Sequence, residues 1–224
     1  MGFSTTLLIG FLSLATLNAA FCNGGCIERE RQALLKLKQD MVDPAARLAS
    51  WVADDEDCCK WKGIVCDNVT SHVLELCLRT PTVNYGLAPI DQFVANVRSK
   101  LGGKISPSLL NLKHLRYLEF SNNNFSGIHI PKFFGSLTSL RLLNLSYSRF
   151  VGEVPHHLGN LSNLKYLNLS YNFDLHVENF HWLSGFSSLQ YLDMSYVNLS
   201  KASNLFPMVN TLPSLVELYL TLCG

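Results

Sequence analysis

Seven cysteines, seven histidines and six Asn-x-Ser/Thr triplets are the residues of this chain whose types and spacing could do chemistry. Cys26, Cys58, Cys59 and Cys66 bracket one compact segment, while Cys22, Cys77 and Cys223 stand apart. In an exported chain such a set reads as disulfides. Spacing alone leaves the connectivity open. Neighbouring Cys58 and Cys59 are poor partners for each other, and the economical solution is Cys26–Cys58 with Cys59–Cys66. Zinc is the competing chemistry, but paired CxxC spacing and a partner histidine pattern are both missing.

The histidines (His72, His114, His129, His156, His157, His176 and His181) fall into no HExxH or other ligand spacing. The sequence has no GxSxG turn, Walker loop or glycine-rich dinucleotide turn. Glu119 and Asp193 occupy equivalent positions three repeats apart, about 15 Å at one strand spacing per repeat. Paired-carboxylate hydrolysis needs a shorter gap. The run Asp54-Asp55-Glu56-Asp57 reads as an exposed acidic turn. No catalytic residue, metal ion or cofactor is expected, and the chain does not read as an enzyme. The triplets at Asn68, Asn124, Asn144, Asn160, Asn168 and Asn198 are glycan acceptors if the chain is exported.

Export is what the first segment predicts. Leu7, Leu8, Ile9, Phe11, Leu12, Leu14 and Leu17 form an apolar run followed by small residues at Ala19 and Ala20, a secretory signal over residues 1–22. The run is shorter than the roughly 20 residues of a spanning helix. The mature chain is therefore expected to be secreted or extracellular.

The 224 residues are 48% hydrophobic and 16% charged, with net charge +1. Disorder requires the opposite balance. Nucleic acid is excluded as a partner, because 18 basic residues against 17 acidic leave no excess to displace counterions. Forty residues are leucine, and their spacing explains the excess. Leu112, Leu137, Leu161, Phe186 and Leu212 open five segments at intervals of 25, 24, 25 and 26. Each continues with apolar residues three, six and eight positions on, as in Leu140-Leu143-Leu145 and Leu164-Leu167-Leu169. The last two of each set have the period of a short strand with one buried face. Such a strand buries that face only by stacking on its copy in the next turn. The expected fold is an α/β solenoid: a leucine-rich-repeat right-handed superhelix with a parallel sheet on its concave face.

Residues 23–78 read as an N-terminal cap. It has a helix over Glu28–Asp40, the cysteine segment, and a first strand carrying Val73, Leu76 and Leu78. Residues 79–111 read as an insertion loop and a first incomplete repeat, and 112–224 as about five repeats. Three residues beyond each strand stand Asn123, Ser148, Asn172, Val197 and Cys223, a partial ladder of backbone-bonding side chains. Outward positions form columns. One is Glu75-Tyr117-Leu142-Tyr166-Tyr191-Glu217; the next is Cys77-Glu119-Asn144-Asn168-Asp193-Tyr219; a third is Thr80-Asn122-Tyr147-Tyr171-Tyr196-Leu222. Tyrosine-rich stripes suit protein recognition, since they offer area at small entropic cost. The candidate contacts are Tyr117, Glu119, Tyr147, Tyr166, Tyr171, Tyr191, Asp193, Tyr196 and Tyr219. Glycans on both Asn144 and Asn168 would shield part of that face.

Cys26-Ile-Glu-Arg-Glu-Arg-Gln-Ala-Leu-Leu35, Leu48-Ala-Ser-Trp51 and Asp57-Cys-Cys-Lys-Trp-Lys-Gly-Ile-Val-Cys66 resemble the plant-type N-terminal domain of leucine-rich-repeat proteins. Leu183-Ser-Gly-Phe-Ser-Ser-Leu-Gln-Tyr-Leu-Asp193 is similar to plant receptor-like proteins of the kind that perceive a fungal xylanase elicitor. The resemblance implies an extracellular protein or peptide ligand and a co-receptor kinase as partner. It also implies many further repeats and a membrane helix that follows them, so the chain reads as a truncated member. The expected function is ligand binding in pathogen or elicitor perception. A secreted inhibitor of a microbial wall-degrading enzyme is the other reading of the same scaffold, and a nonfunctional truncated product the third.

Overall fold

The computed structural model describes residues 25–83 and 89–223. The signal segment and Cys22 lie outside them. In chain order the strands are β1 (Met41–Val42), β2 (Ile64–Cys66), β3 (Val73–Cys77), β4 (Gly102–Gly103), β5 (Tyr117–Glu119) and β6 (Leu142–Asn144). They continue with β7 (Val151–Glu153), β8 (Tyr166–Asn168), β9 (Asp174–His176), β10 (Tyr191–Asp193) and β11 (Glu217–Tyr219). The helices are α1 (Glu28–Asp40), α2 (Ile90–Arg98) and α3 (Leu205–Val209), with five short 3-10 turns between strands.

The main sheet has seven strands in the order β11-β10-β8-β6-β5-β3-β2. Every pair is parallel except β2–β3, which runs antiparallel and brings the sheet into the cap. Each central leucine meets its copy: Leu76, Leu118, Leu143, Leu167, Leu192 and Leu218 are successive partners. All but the last are fully buried. Opposite the sheet, 3-10 turns such as His156–Asn160 and His181–Gly185 stack on one another. A Cβ on Gly185 would run into the backbone of Gly159, so this close stacking requires glycine there.

The ladder position behaves as its chemistry dictates. Asn123 Nδ2 donates to Leu78 O and Phe120 O, both at 2.9 Å, while its Oδ1 accepts from Leu101 N at 3.0 Å. Asn172 Nδ2 repeats the pattern on Leu145 O and Leu169 O. Ser148 continues the ladder with its hydroxyl, which donates to Phe120 O at 2.7 Å. Val197 is buried without a polar group to offer, and the Cys223 thiol reaches Met194 O at 3.3 Å. Burial pushes the Cys223 thiol up, so it stays a protonated donor.

In the cap, the disulfides are Cys26–Cys58 and Cys59–Cys66, with Cα separations of 5.1 and 5.5 Å. Trp51 and Trp61 stack at 5.7 Å beneath α1. Glu30, on α1 and buried, accepts from Val73 N at 2.7 Å and contacts His72 Nδ1 at 2.8 Å, which ties the helix to β3. Arg47 donates to Thr80 Oγ1, Asn123 Oδ1, Leu78 O, Arg79 O and Ser99 O, so one guanidinium closes the seam between cap and solenoid.

Two sequence expectations change, and one segment the spacing left undescribed is ordered. The stretch 79–100 is not loop throughout, since α2 occupies Ile90–Arg98 and buries Asn96, whose Nδ2 donates to Pro81 O. The segment after Asn172, which carries no leucine spacing of its own, forms regular structure. There β9 pairs in parallel with β7, Val151 opposite Asp174, as a second small sheet. The acidic turn is not merely solvated: Asp55 Oδ2 accepts from Trp61 Nε1 at 3.1 Å, and Asp57 Oδ1 accepts from Cys59 N at 3.2 Å.

Candidate recognition surface

The outward columns read from the sequence are the columns of the sheet. Tyr117, Leu142, Tyr166, Tyr191 and Glu217 are successive partners, as are Glu119, Asn144, Asn168, Asp193 and Tyr219. Strand stacking holds equivalent side chains about 5 Å apart, close enough for aromatic rings to touch. Tyr166 and Tyr191 stack at 4.2 Å with their planes 9° apart, and Tyr219 follows at 5.4 Å. Burial, with Tyr166 alongside, pushes the Tyr191 hydroxyl far above the ordinary tyrosine value. A hydrogen bond to Glu217 raises that of Tyr219. Both remain protonated donors at neutral pH.

The third column has a different backbone. Asn122, Tyr147, Tyr171, Tyr196 and Leu222 all sit in the left-handed region, at φ of 55°, 53°, 57°, 63° and 51°. Asparagine tolerates this conformation; tyrosine does so at a cost. The strain is held by the ladder, since Tyr147 N donates to Ser170 O at 3.0 Å and Tyr171 N to Ser195 O at 2.9 Å. The result is a second aromatic stack along the rim, Tyr147–Tyr171 at 3.9 Å and Tyr171–Tyr196 at 4.4 Å. Phe173, 66% exposed, packs edge-on against Tyr171 and Tyr196.

Between the stacks lies a polar strip. Glu119 accepts from Asn144 Nδ2 and from Ser121 N, both at 3.1 Å. Asp193 accepts from Ser195 N at 2.9 Å. Asn168 is only 8% exposed and accepts from Ser170 N and Ser170 Oγ. Asn144 is half-buried, whereas Asn68, Asn124, Asn160 and Asn198 are exposed. Cys77 is exposed and without a disulfide partner among the described residues, beside a shallow depression of about 250 Å³ lined by Glu75, Arg79, Tyr117, Glu119 and Leu142. The sulfur atoms of Cys26, Cys58 and Cys59 lie close together. As disulfides they have no thiolate to give a metal.

A fourth column was missed by the sequence reading. The residue preceding each outward tyrosine position is Arg116, Arg141, Lys165, Gln190 and Val216, and these too are successive rungs. Arg141 N donates to Arg116 O, Lys165 N to Arg141 O, Gln190 N to Lys165 O, and Val216 N to Gln190 O, all within 2.8 Å. The signal was present as a basic residue three times at one repeat position, hidden because attention to strand alternation stops at the strand's first residue.

Two family descriptions match the chain: "Leucine rich repeat N-terminal domain" over residues 27–67, and "Leucine Rich Repeat" over 114–137 and 139–161. Receptor-like protein EIX1 of Solanum lycopersicum is 42% identical over 221 residues, which cover 95% of this chain. The chain belongs to the plant leucine-rich-repeat receptor-like proteins. Receptor-like protein EIX2 of the same plant is 47% identical over 58% of the chain. The chain spans only 21% and 12% of the lengths of these two relatives. Among solved structures, that of PEPR1-AtPEP1 superposes with a TM-score of 0.67 and 28% identity, covering 87% of this chain and 24% of that one. Among the described residues no helix of this receptor-like chain is long and apolar enough to cross a membrane.

Proposed function

We propose that this chain is extracellular ligand-binding surface of a plant cell-surface receptor-like protein, perceiving a pathogen-derived or elicitor protein or peptide and acting through a co-receptor kinase. The observation that carries this reading is the pair of aromatic stacks on the concave side, above all the three tyrosines of the rim stack held in the left-handed conformation. Asn122 and Leu222 share that conformation, so it belongs to the repeat turn, and it is the stacking of three tyrosines there that supports a contact surface. The open, shallow concave depression beside Cys77 favours a peptide over a small molecule.

The test is a chimera in which residues 26–224 replace the corresponding part of Receptor-like protein EIX1, expressed in leaf tissue. Elicitor-dependent signalling that survives the exchange, and is lost when Tyr147, Tyr171 and Tyr196 are changed to serine with surface delivery intact, supports the reading. Signalling indifferent to those three changes refutes it. Inhibition of a wall-degrading enzyme by the secreted chain alone would favour the inhibitor reading instead.

A further inference from the structure

Arg116, Arg141 and Lys165 stand on three consecutive rungs, about 5 Å apart per step. Arg141 and Lys165 are exposed and Arg116 is half-exposed. Among the described residues the ion pairs are Arg31–Glu28, Lys36–Asp40, Lys60–Asp57 and His72–Glu30, and none involves this row. The carboxylates that share the face are Glu75, Glu119, Asp193 and Glu217, and none of them forms an ion pair with the row. Glu119 is held by Asn144 and Ser121, Asp193 by Ser195, and Glu217 by the Tyr219 hydroxyl. Asp67, across the cap, feels Arg116 but is held by Val69 and Thr70. Three like charges at this spacing repel one another, and among the described residues none of them has an ion-pair partner.

The neighbouring column sharpens what would. Tyr166 and Tyr191 spend their ring faces on each other, so what they turn outward is ring edge and hydroxyl. The edge carries the positive side of the aromatic quadrupole. A sugar ring would need the faces; an acceptor-rich chain is suited by the edges. We propose that the row Arg116-Arg141-Lys165, with the Tyr117-Tyr166-Tyr191 column beside it, binds an acidic, extended segment of the ligand's polypeptide, lying across the strands along the solenoid axis. An extended chain rises about 3.3 Å per residue, so carboxylates two or three residues apart meet cations one or two rungs apart. This rests on the proposed reading of the chain as a peptide or protein receptor and names the chemistry of what it takes.

The experiment pans a random peptide display library on the secreted full-length chain, then repeats it on two variants. One is Arg116→Gln/Arg141→Gln/Lys165→Gln. The other is Lys62→Gln/Lys104→Gln/Lys132→Gln, which removes equal charge from exposed sites off the sheet columns. Near-UV circular dichroism checks that both fold. Expected are peptides rich in Asp and Glu, bound about tenfold more weakly by the first variant, within twofold of the parent by the second, and weakened by salt. Equal loss in both variants overturns the proposal as non-specific attraction. Enrichment of neutral or basic peptides overturns it while leaving the receptor reading standing. No enrichment at all overturns both. A linear polyuronate that binds more tightly than the acidic peptides, and loses affinity in the first variant, overturns it in favour of a saccharide.

Discussion

At the cap end, β3 has β5 on one side and the antiparallel β2 on the other, and Val73 and Leu76 are fully buried. At the far end β11 pairs with β10, and no described strand lies beyond it. Leu218, whose counterparts in β3, β5, β6, β8 and β10 are fully buried, keeps 37% of its surface exposed, and Val216 and Leu222 are more exposed still. The same leucine at the same repeat position thus has two fates, decided by whether a neighbour covers it. In a solenoid each unit is stabilised by its own contacts and those of its two neighbours. The cap supplies the missing neighbour with a helix, two disulfides and the Arg47 and Glu30 bonds rather than with another repeat.

The largest effect should come from opening the cap. Cys26→Ser/Cys58→Ser is expected to cost about 2–5 kcal/mol in denaturant unfolding, with loss of secretion as the cellular readout. A cost below about 1 kcal/mol would show that packing alone closes that end. Next, Leu167→Ala should cost about 3–4 kcal/mol and Leu218→Ala less than about 1.5, because only the first leaves a cavity. Equal costs would remove the contrast between the ends. Asn123→Val should cost about 1–3 kcal/mol by leaving the buried Leu101 N without its acceptor and removing one of the donors to Leu78 O and Phe120 O, while the reverse change at a naturally apolar rung, Val197→Asn, should be tolerated better.

Acid provides a gentler test. The carboxyls held below their ordinary values are Glu28 by Arg31, Asp40 by Lys36, Asp57 and Asp67. Burial pushes Asp57 up, but Lys60 and the amides of Cys59 and Cys26 outweigh it; the amides of Thr70 and Val69 hold Asp67 down. All four lie in the cap. Groups with lowered folded values stabilise above the unfolded carboxyl pKa of about 4 and lose that contribution as pH falls through the folded values. Below about pH 4 the cap should therefore loosen before the repeats. Fluorescence of Trp51 and Trp61 in a Trp182→Phe background reads this directly, and simultaneous loss of cap and repeats would contradict it. The smallest effect concerns glycans. Glycopeptide mass spectrometry should find Asn68, Asn124, Asn160 and Asn198 occupied and Asn168 empty, because the Asn168 amide is enclosed and its oxygen already bonded to Ser170.

The register of the concave columns was legible in the sequence because a parallel solenoid pairs each residue with the one a repeat away. Counting 24 to 26 positions therefore amounts to tracing hydrogen bonds. The helix α1 was legible because it is local, whereas spacing left the disulfide connectivity open and the fold decides it by bringing Cys26 to Cys58 across 32 residues and Cys59 to Cys66. What escaped was the basic row, one position outside the alternating pattern, and α2 and the β7–β9 sheet, where leucine spacing gives no signal. Those elements lack the repeat's own periodicity and are ordered by contacts with segments already in place.

By itself, then, the sequence determined the family, the repeat register and which side chains share a column, since all three follow from spacing along one chain. Only the tertiary structure decided how those side chains use their neighbours. Stacking at 3.9 to 4.4 Å turns separate tyrosines into ladders with their faces spent. Local hydrogen bonds orient Glu119 and Asp193, and Arg116, Arg141 and Lys165 have no ion-pair partners among the described residues. The physical reason is that charge pairing and ring contact depend on distances of a few ångströms across the sheet, which spacing along the chain brackets but does not set.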